Sequence, residues 1–119
     1  MAQVDTMTFR IAVEDHDRAI ALFTDILQYQ REHPELYYYS RSRTFFRPAD
    51  DNPDHELWFF IDEYDDRDKY WESLMSALQS DPRSAENQRA WADIVLPPLP
   101  KGHEVWTEID PLRVEYEGR

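Results

Sequence analysis

A ten-residue segment near the middle of the chain, HELWFFIDEY, leaves few choices for the architecture. Its side chains alternate with the period of a β-strand, yet both alternating sets are strongly apolar. A strand that is apolar on both faces needs cover on both sides, so we expect it in the interior of a sheet. The two sets are Leu57, Phe59 and Ile61 on one face, and Trp58, Phe60 and Tyr64 on the other.

Patterns of apolar spacing along the whole chain predict elements in the order β-α-β-β-α-β. That order is typical of an α+β, ferredoxin-like domain, in which both main helices lie on one face of a four-stranded antiparallel sheet. No linker or repeat divides the chain, so residues 1–119 are predicted to form one domain. The predicted strands cover residues 6–13, 35–46, 55–64 and 103–109, with 112–116 as an edge extension, and the predicted helices cover 14–33, 65–82 and 84–95.

The predicted layout leaves one face of the sheet uncovered, because the two main helices lie on one side only. We expect Trp58 and Phe60, or the residues that alternate with them, to lie on this helix-free face. Contiguous exposed aromatic surfaces usually mark interaction sites. The sequence therefore predicts a homodimer in which two sheets pack face to face and enclose a cavity.

The charge of the chain argues against two classes of partner. With 25 acidic and 13 basic residues the net charge is −12, which disfavours nucleic-acid binding because phosphate backbones are bound by clustered Lys and Arg. No apolar run approaches the roughly 20 residues that a membrane span needs. The N-terminal residues lack the pattern of a signal peptide, so we expect a cytoplasmic protein with no membrane partner.

The use of cysteine, glycine and histidine excludes several kinds of chemistry. There is no cysteine, which excludes thiolate metal sites and cysteine nucleophiles. The two glycines are too few for a P-loop or a dinucleotide fingerprint. The four histidines are scattered, with no pair at helical metal-ligand spacing. We therefore expect neither a metal nor a cofactor.

One part of the chain resembles a known family. The segment HELWFFIDEYDDRDKYWESLMSALQSDP, about a quarter of the chain, is similar to the second half of a NIPSNAP-type domain. In that family a His-x-x-Trp strand leads into an acidic, arginine-containing turn, an aromatic-bearing helix and a closing Asp-Pro. The first half departs from the family pattern, since no glycine-containing turn precedes the first helix. The matching positions are His55, Trp58, Tyr64, Arg67, Trp71, Asp81 and Pro82.

The resemblance implies a fold and two alternative functions. NIPSNAP-type domains belong to the dimeric α/β-barrel superfamily, which includes small quinone-forming monooxygenases, heme-degrading enzymes, isomerases and stress-response proteins. One implied function is that of a non-catalytic small-molecule-binding or interaction protein. The other is that of a cofactor-independent enzyme, of monooxygenase or isomerase type, acting on an aromatic or quinonoid substrate. An open, polar cavity between the sheets would favour the enzyme, and a cavity filled by aromatic side chains would favour the binding protein.

The segment ELYYYSRSRTFF, predicted as the second strand, carries the most prominent candidate site. One of its alternating sets holds two phenols and two guanidiniums, and we expect this set to face the dimer cavity because the other contains small serines on which a helix can pack. Such a group would recognise an anionic or aromatic small molecule. The alternative is that the arginines pair with carboxylates of neighbouring strands, such as Glu104 or Glu108. The four residues are Tyr37, Tyr39, Arg41 and Arg43.

Two histidines are candidates for proton transfer. His55 and His103 each open a predicted strand, so they could be neighbours at one end of the sheet and one could act as general acid or base. The alternative is that both are partly exposed residues at strand ends. The predicted catalytic residues are His55 and Tyr39. The residues predicted to bind the ligand are Tyr37, Tyr39, Arg41, Arg43, Trp58, His103 and Trp106.

Overall fold

Four antiparallel strands form one open sheet in the order β2-β3-β1-β4, with three helices. This is an α+β arrangement compatible with the predicted ferredoxin-like fold. The computed structural model describes residues 2–119. The strands are β1 (Gln3–Ala12), β2 (Arg41–Pro48), β3 (His55–Tyr64) and β4 (Glu104–Thr107), and the helices are α1 (His16–Glu32), α2 (Arg67–Ser80) and α3 (Pro82–Ile94), with 3-10 turns at Val13–Asp15 and Asp110–Leu112.

Strand β3 lies inside the sheet, as its two apolar faces predict. It pairs with β1 along its whole length and with β2 on its other side. Strand β4 is shorter than predicted and pairs only with the first residues of β1. The predicted edge extension over residues 112–116 is wrong, because this part of the chain forms no strand and is exposed.

The hydrophobic core lies between the sheet and the helices, and Trp58 belongs to it. Only 2% of Trp58 is exposed, and its ring packs against Phe9 and Phe23 at centroid distances of 6.5 and 5.4 Å. Its indole N–H donates a 3.0 Å hydrogen bond to the buried Glu56 carboxylate. The buried residues of the core are Phe9, Ile11, Ala19, Trp58, Ile94 and Val95.

Of the two alternating sets that the sequence allows on the helix-free face, the structure places the set opposite Trp58 and Phe60 there. Strand β1 explains the choice, since its register sets Trp58 opposite Phe9, with which it packs. The other set of β1 residues is largely polar and could not complete a core on its side. On the helix-free side Ile61, Phe59 and Leu57 lie opposite Thr6, Thr8 and Arg10.

Strand β2 begins at Arg41, six residues later than predicted. The tyrosines that precede it turn towards the helices, where each finds a polar partner. The amide of Tyr38 donates to Ser73 Oγ (3.1 Å), and the Tyr39 hydroxyl donates to Gln30 Oε1 (2.5 Å). The first contact satisfies a backbone amide that would otherwise enter the strand ladder, and the second holds the Tyr39 side chain towards α1, so the segment is irregular.

A single aspartate separates the second and third helices. The Asp81 amide donates to the Ala77 carbonyl (2.9 Å) at the end of α2, and its carboxylate accepts from the Ser84 amide (3.1 Å) at the start of α3. Pro82 then occupies the first turn of α3, a position that needs no amide proton. The predicted third helix is confirmed, and it begins two residues earlier than its spacing suggests.

The two faces of the sheet can be distinguished by truncating one tryptophan on each. Trp58→Ala is expected to lower the free energy of unfolding by about 3–5 kcal/mol, the usual cost of removing a large buried aromatic. Trp106→Ala removes the same side chain from a site where 57% of it is exposed, so a loss below about 1 kcal/mol is expected. Urea unfolding measures both, at protein concentrations where the midpoint no longer depends on concentration. Equal losses of unfolding free energy in the two variants would contradict the placement of Trp58 in the core and of Trp106 on the helix-free face.

Candidate functional site

A cavity of about 480 Å³ lies between the helices and the sheet. Strands β1, β2 and β3 supply its floor, and side chains of all three helices line its walls. Much of the lining is aromatic, and it includes two tryptophans, Trp71 from α2 and Trp91 from α3. The other aromatic side chains in the lining are Phe9, Phe23, Tyr37, Tyr39, Phe60 and Tyr70, together with the His103 imidazole.

Two buried carboxylates lie side by side beneath this cavity. Asp5 on β1 is directly opposite Asp62 on β3, and both point to the helix side of the sheet. Asp5 accepts a hydrogen bond from the Tyr64 hydroxyl (2.5 Å), and His103 Nδ1 lies 3.1 Å from its other oxygen. Asp62 accepts from the Tyr70 hydroxyl at 2.7 Å and is itself part of the cavity lining. The result is a network of polar groups within an aromatic site.

Burial controls the protonation of this network. Removal from water raises the pKa of Asp62 above its usual value, and the nearby Asp5 raises it further. Hydrogen bonds from Ser42 and Tyr70 oppose that rise. The pKa of the Tyr70 hydroxyl is also raised, first by burial and then by the Asp62 charge, so this phenol remains a hydrogen-bond donor at neutral pH.

Two buried nitrogens of the cavity-lining residues have no hydrogen-bond partner among the described residues. They are the indole nitrogen of Trp71 and the side-chain amide nitrogen of Asn87. Trp71 packs on the His103 ring, with centroids 4.8 Å apart, and therefore adjoins the carboxylate network. Unpaired buried donors are uncommon in folded proteins and cost stability unless something accepts from them.

The two tyrosines that were predicted to face a dimer cavity belong to the helix-side cavity instead. Tyr37 contacts the Ser84 hydroxyl on α3, and Tyr39 donates to Gln30 on α1. Burial raises the pKa of both phenols, and for Tyr39 the Asp62 charge adds to the effect. Their predicted orientation is wrong because the strand that would have alternated them outwards begins only at Arg41.

The two arginines point away from the helices, as predicted, and are separated from the tyrosines. Both bind the same carboxylate, with Nη2 of Arg41 and of Arg43 at 2.9 and 3.0 Å from Glu63 Oε1. The Arg41 guanidinium holds the pKa of Glu63 below its usual value. The expected pairing with carboxylates of a neighbouring strand is therefore present, but Glu104 and Glu108 are not the partners. They lie at or beyond β4, at the opposite edge of the sheet from β2.

The predicted histidines are not neighbours. His55 pairs with Ala12 at one end of β1, whereas His103 precedes the residue that pairs with Thr6, a separation of about 15–20 Å along the strand. His55 Nδ1 lies 3.4 Å from the Arg10 guanidinium, outside the cavity. Of the residues predicted to act on a ligand, the structure brings together Tyr37, Tyr39 and His103 in the cavity lining, and separates from them His55, Trp58, Arg41, Arg43 and the exposed Trp106.

The carboxylate network was not predicted from the sequence. Asp5 and Asp62 each lie in a strand, at a position that the alternating pattern assigns to the same face as large apolar residues. An acidic residue at a core position of a strand is the signal that could have indicated them, because buried carboxylates need partners. Their cross-strand pairing depends on the register between β1 and β3.

Comparison of the chain with protein-family models, with curated proteins and with solved structures found no significant match. The resemblance to NIPSNAP-type domains therefore stays a prediction. Within residues 2–119, no three histidine or acidic side chains lie close enough together to hold a metal ion. None of the helices described above has the length and apolar character needed to cross a membrane.

The buried Asp62 and its partly exposed neighbour Glu63 should contribute to the pH dependence of stability with opposite signs. Because the folded-state pKa of Asp62 is raised, the native state binds this proton more tightly than the unfolded chain. Stability is then lost as pH rises from the unfolded pKa through the folded one. Asp62→Asn removes that loss, so the stability of the variant relative to wild type should increase with pH across this interval, by at most about 1.4 kcal/mol per pH unit.

Glu63→Gln provides the matched control. The folded-state pKa of Glu63 is lowered, so its contribution is present above the unfolded pKa and is lost as pH falls. The relative stability of this variant should therefore decrease with rising pH, and only slightly, because Glu63 and its arginines are partly exposed to solvent. Urea unfolding between pH 3 and 8 measures both slopes. Slopes of the same sign would contradict the burial of Asp62.

Proposed function

We propose that this protein binds a small molecule in the cavity between its helices and its sheet. The observation that carries the proposal is an open volume of about 480 Å³ with apolar walls rich in aromatic side chains and a few polar groups at its floor. Ligand sites typically have 300–1,000 Å³ and this mixture of apolar surface with a small number of oriented polar atoms. Protein interiors otherwise contain few voids larger than a water molecule.

The open volume itself supports the same proposal. A region that had evolved only as a hydrophobic core would be filled by apolar side chains. Binding a flat, largely apolar molecule would bury the aromatic walls and so gain the hydrophobic free energy that the empty cavity forgoes.

Binding of a neutral aromatic probe tests the proposal. N-phenyl-1-naphthylamine fluoresces more strongly in apolar surroundings, and we expect saturable one-to-one binding. Thr44 is exposed where it lines the cavity on β2, so Thr44→Trp should obstruct the site and weaken binding at least tenfold, about 1.4 kcal/mol. Arg47→Trp places the same side chain on the opposite face of the same strand and should leave the affinity unchanged. Equal affinities for the two variants would locate the probe elsewhere.

The helix-free face of the sheet supports a second part of the proposal, a homodimer of the dimeric α/β-barrel type. Part of this face is apolar and none of the helices described above covers it, and 41% of Phe45 is exposed although its ring stacks on Phe59 at 5.0 Å. A second copy could present the same surface to it, and stable interfaces bury about 800 Å² on each partner. The apolar residues of this face are Val4, Phe45, Leu57, Phe59, Ile61 and Trp106.

Light scattering during size-exclusion chromatography tests the dimer. We expect a mass of twice 14.4 kDa at micromolar concentration. Phe45→Glu should return the mass to that of one chain, because a charged carboxylate would replace an apolar ring within the interface. Ile20→Glu is the control, since Ile20 is exposed to a similar extent (45%) on α1, away from the sheet. A wild-type mass of 14.4 kDa would refute the dimer and leave the cavity proposal standing.

A specific observation also favours an enzyme as the alternative. The Asp5–His103 pair, Asp62 and Tyr70 are groups able to accept or donate protons, and they adjoin a cavity with the size and aromatic walls that suit an aromatic or quinonoid substrate. A cofactor-independent monooxygenase or isomerase needs a proton acceptor of this kind near the reacting carbon or oxygen. The two candidates differ in whether the ligand recovered from the complex is chemically unchanged.

A further inference from the structure

The buried part of the cavity lining carries negative charge. Asp62 is the only carboxylate among the described residues of the lining, and no arginine lines it. The single lysine of the lining, Lys101, is exposed and belongs to the loop before β4. The imidazole of His103 contacts the other buried carboxylate, Asp5. An anionic ligand would therefore meet a negative site without a compensating guanidinium, since Arg41 and Arg43 lie on the far side of the sheet and bind Glu63.

Asp62 is short of positive charge. Within residues 2–119 it forms no ion pair, and it accepts hydrogen bonds from Ser42 and from the Tyr70 hydroxyl, the latter at 2.7 Å. The nearby His103 imidazole, which favours the charged form of Asp62, is in contact with Asp5. It also lies opposite a second buried carboxylate, Asp5, on the neighbouring strand. Burying an ionised carboxylate is costly unless a cation compensates it, and two adjacent carboxylates increase that cost. A cation in the cavity would supply the missing partner.

The walls around Asp62 suit a cation as well. The rings of Phe60 and Trp71 line the cavity beside it, and aromatic faces attract ammonium groups through their negative electrostatic potential. Aromatic rings beside a carboxylate form the kind of arrangement that recognises alkylated and quaternary ammonium groups. Both features, the Asp62 carboxylate and the aromatic rings, favour a cationic ligand over a neutral or anionic one.

We infer that the ligand of this cavity is an aromatic or otherwise apolar molecule that carries a protonated amine or quaternary ammonium group, with the cationic nitrogen beside Asp62. The inference rests on the proposed binding function and specifies the class of ligand. It also replaces the anionic ligand that the Tyr-Arg segment suggested, because the tyrosines and the arginines of that segment lie on opposite sides of the sheet.

Three naphthalene derivatives of nearly equal shape test the inference on the full-length chain. They are 1-naphthylmethylamine, which is a cation at pH 7, the neutral 1-naphthalenemethanol, and the anion 1-naphthoate. In isothermal titration calorimetry at pH 7 we expect the amine to bind at least tenfold more tightly than the alcohol. We expect the carboxylate to bind more weakly than the alcohol, because its charge repels Asp62.

Two variants separate a local effect of Asp62 from the overall charge of the protein. Asp62→Asn and Glu63→Gln each remove one negative charge from adjacent positions of β3 whose side chains lie on opposite faces of the sheet. Asp62→Asn should weaken amine binding about tenfold, to the level of the alcohol, and leave alcohol binding unchanged. Glu63→Gln should keep the preference for the amine.

The possible results distinguish failure of the inference from failure of the binding function. If the alcohol or the carboxylate binds as tightly as the amine, the cavity is a binding site but not one for cations. The same conclusion follows if both variants lose the preference equally. If none of the three compounds binds and N-phenyl-1-naphthylamine does not bind either, the proposed binding function fails and the inference falls with it. Should Asp62→Asn not fold, the order of the three wild-type affinities decides.

Discussion

The pairing of β3 with β1 and β2 is the constraint on which the rest of the structure depends. Because β3 is hydrogen-bonded on both sides, its register determines which side chains of three strands share each face. It places Trp58 opposite Phe9 in the core, Asp62 opposite Asp5 beneath the cavity, and Glu63 opposite Arg41 on the helix-free face. A slip of β3 by one residue would move each of its side chains to the opposite face of the sheet. Trp58 would then leave the core, and Asp62 and Glu63 would change faces.

The two faces of this sheet handle carboxylates in different ways. On the helix-free face Glu63 is partly exposed and shared by two arginines, so its charge is neutralised by salt bridges of modest energy. On the helix face Asp5 and Asp62 are buried, and tyrosine hydroxyls together with one histidine take the place of the arginines. Such a network is a poor way to stabilise a fold, since apolar side chains of similar size would often do so better. That cost is reasonable at a site that binds a polar or charged group.

The cavity and the bare sheet face are independent features of one architecture. Helices on a single side of the sheet create both, since they enclose the cavity above one face and leave the other without cover. A ligand in the cavity would contact the helices and the polar floor, whereas a second copy of the chain would contact the aromatic surface around Phe45. Binding and association can therefore be measured and disrupted separately.

The order of the amino acids is enough to predict the α+β class, the central position of β3 and the outward direction of Arg41 and Arg43, because these follow from local periodicity. It does not reveal which apolar face of β3 meets the helices, since Trp58 and Phe59 satisfy the pattern equally well. It also misplaces Tyr37 and Tyr39, whose partners on α1 and α3 draw them out of the strand. The meeting of Asp5, Asp62 and His103 arises from residues distant in the chain. Such contacts depend on strand register and on the packing of helices against the sheet, which only the assembled tertiary structure decides.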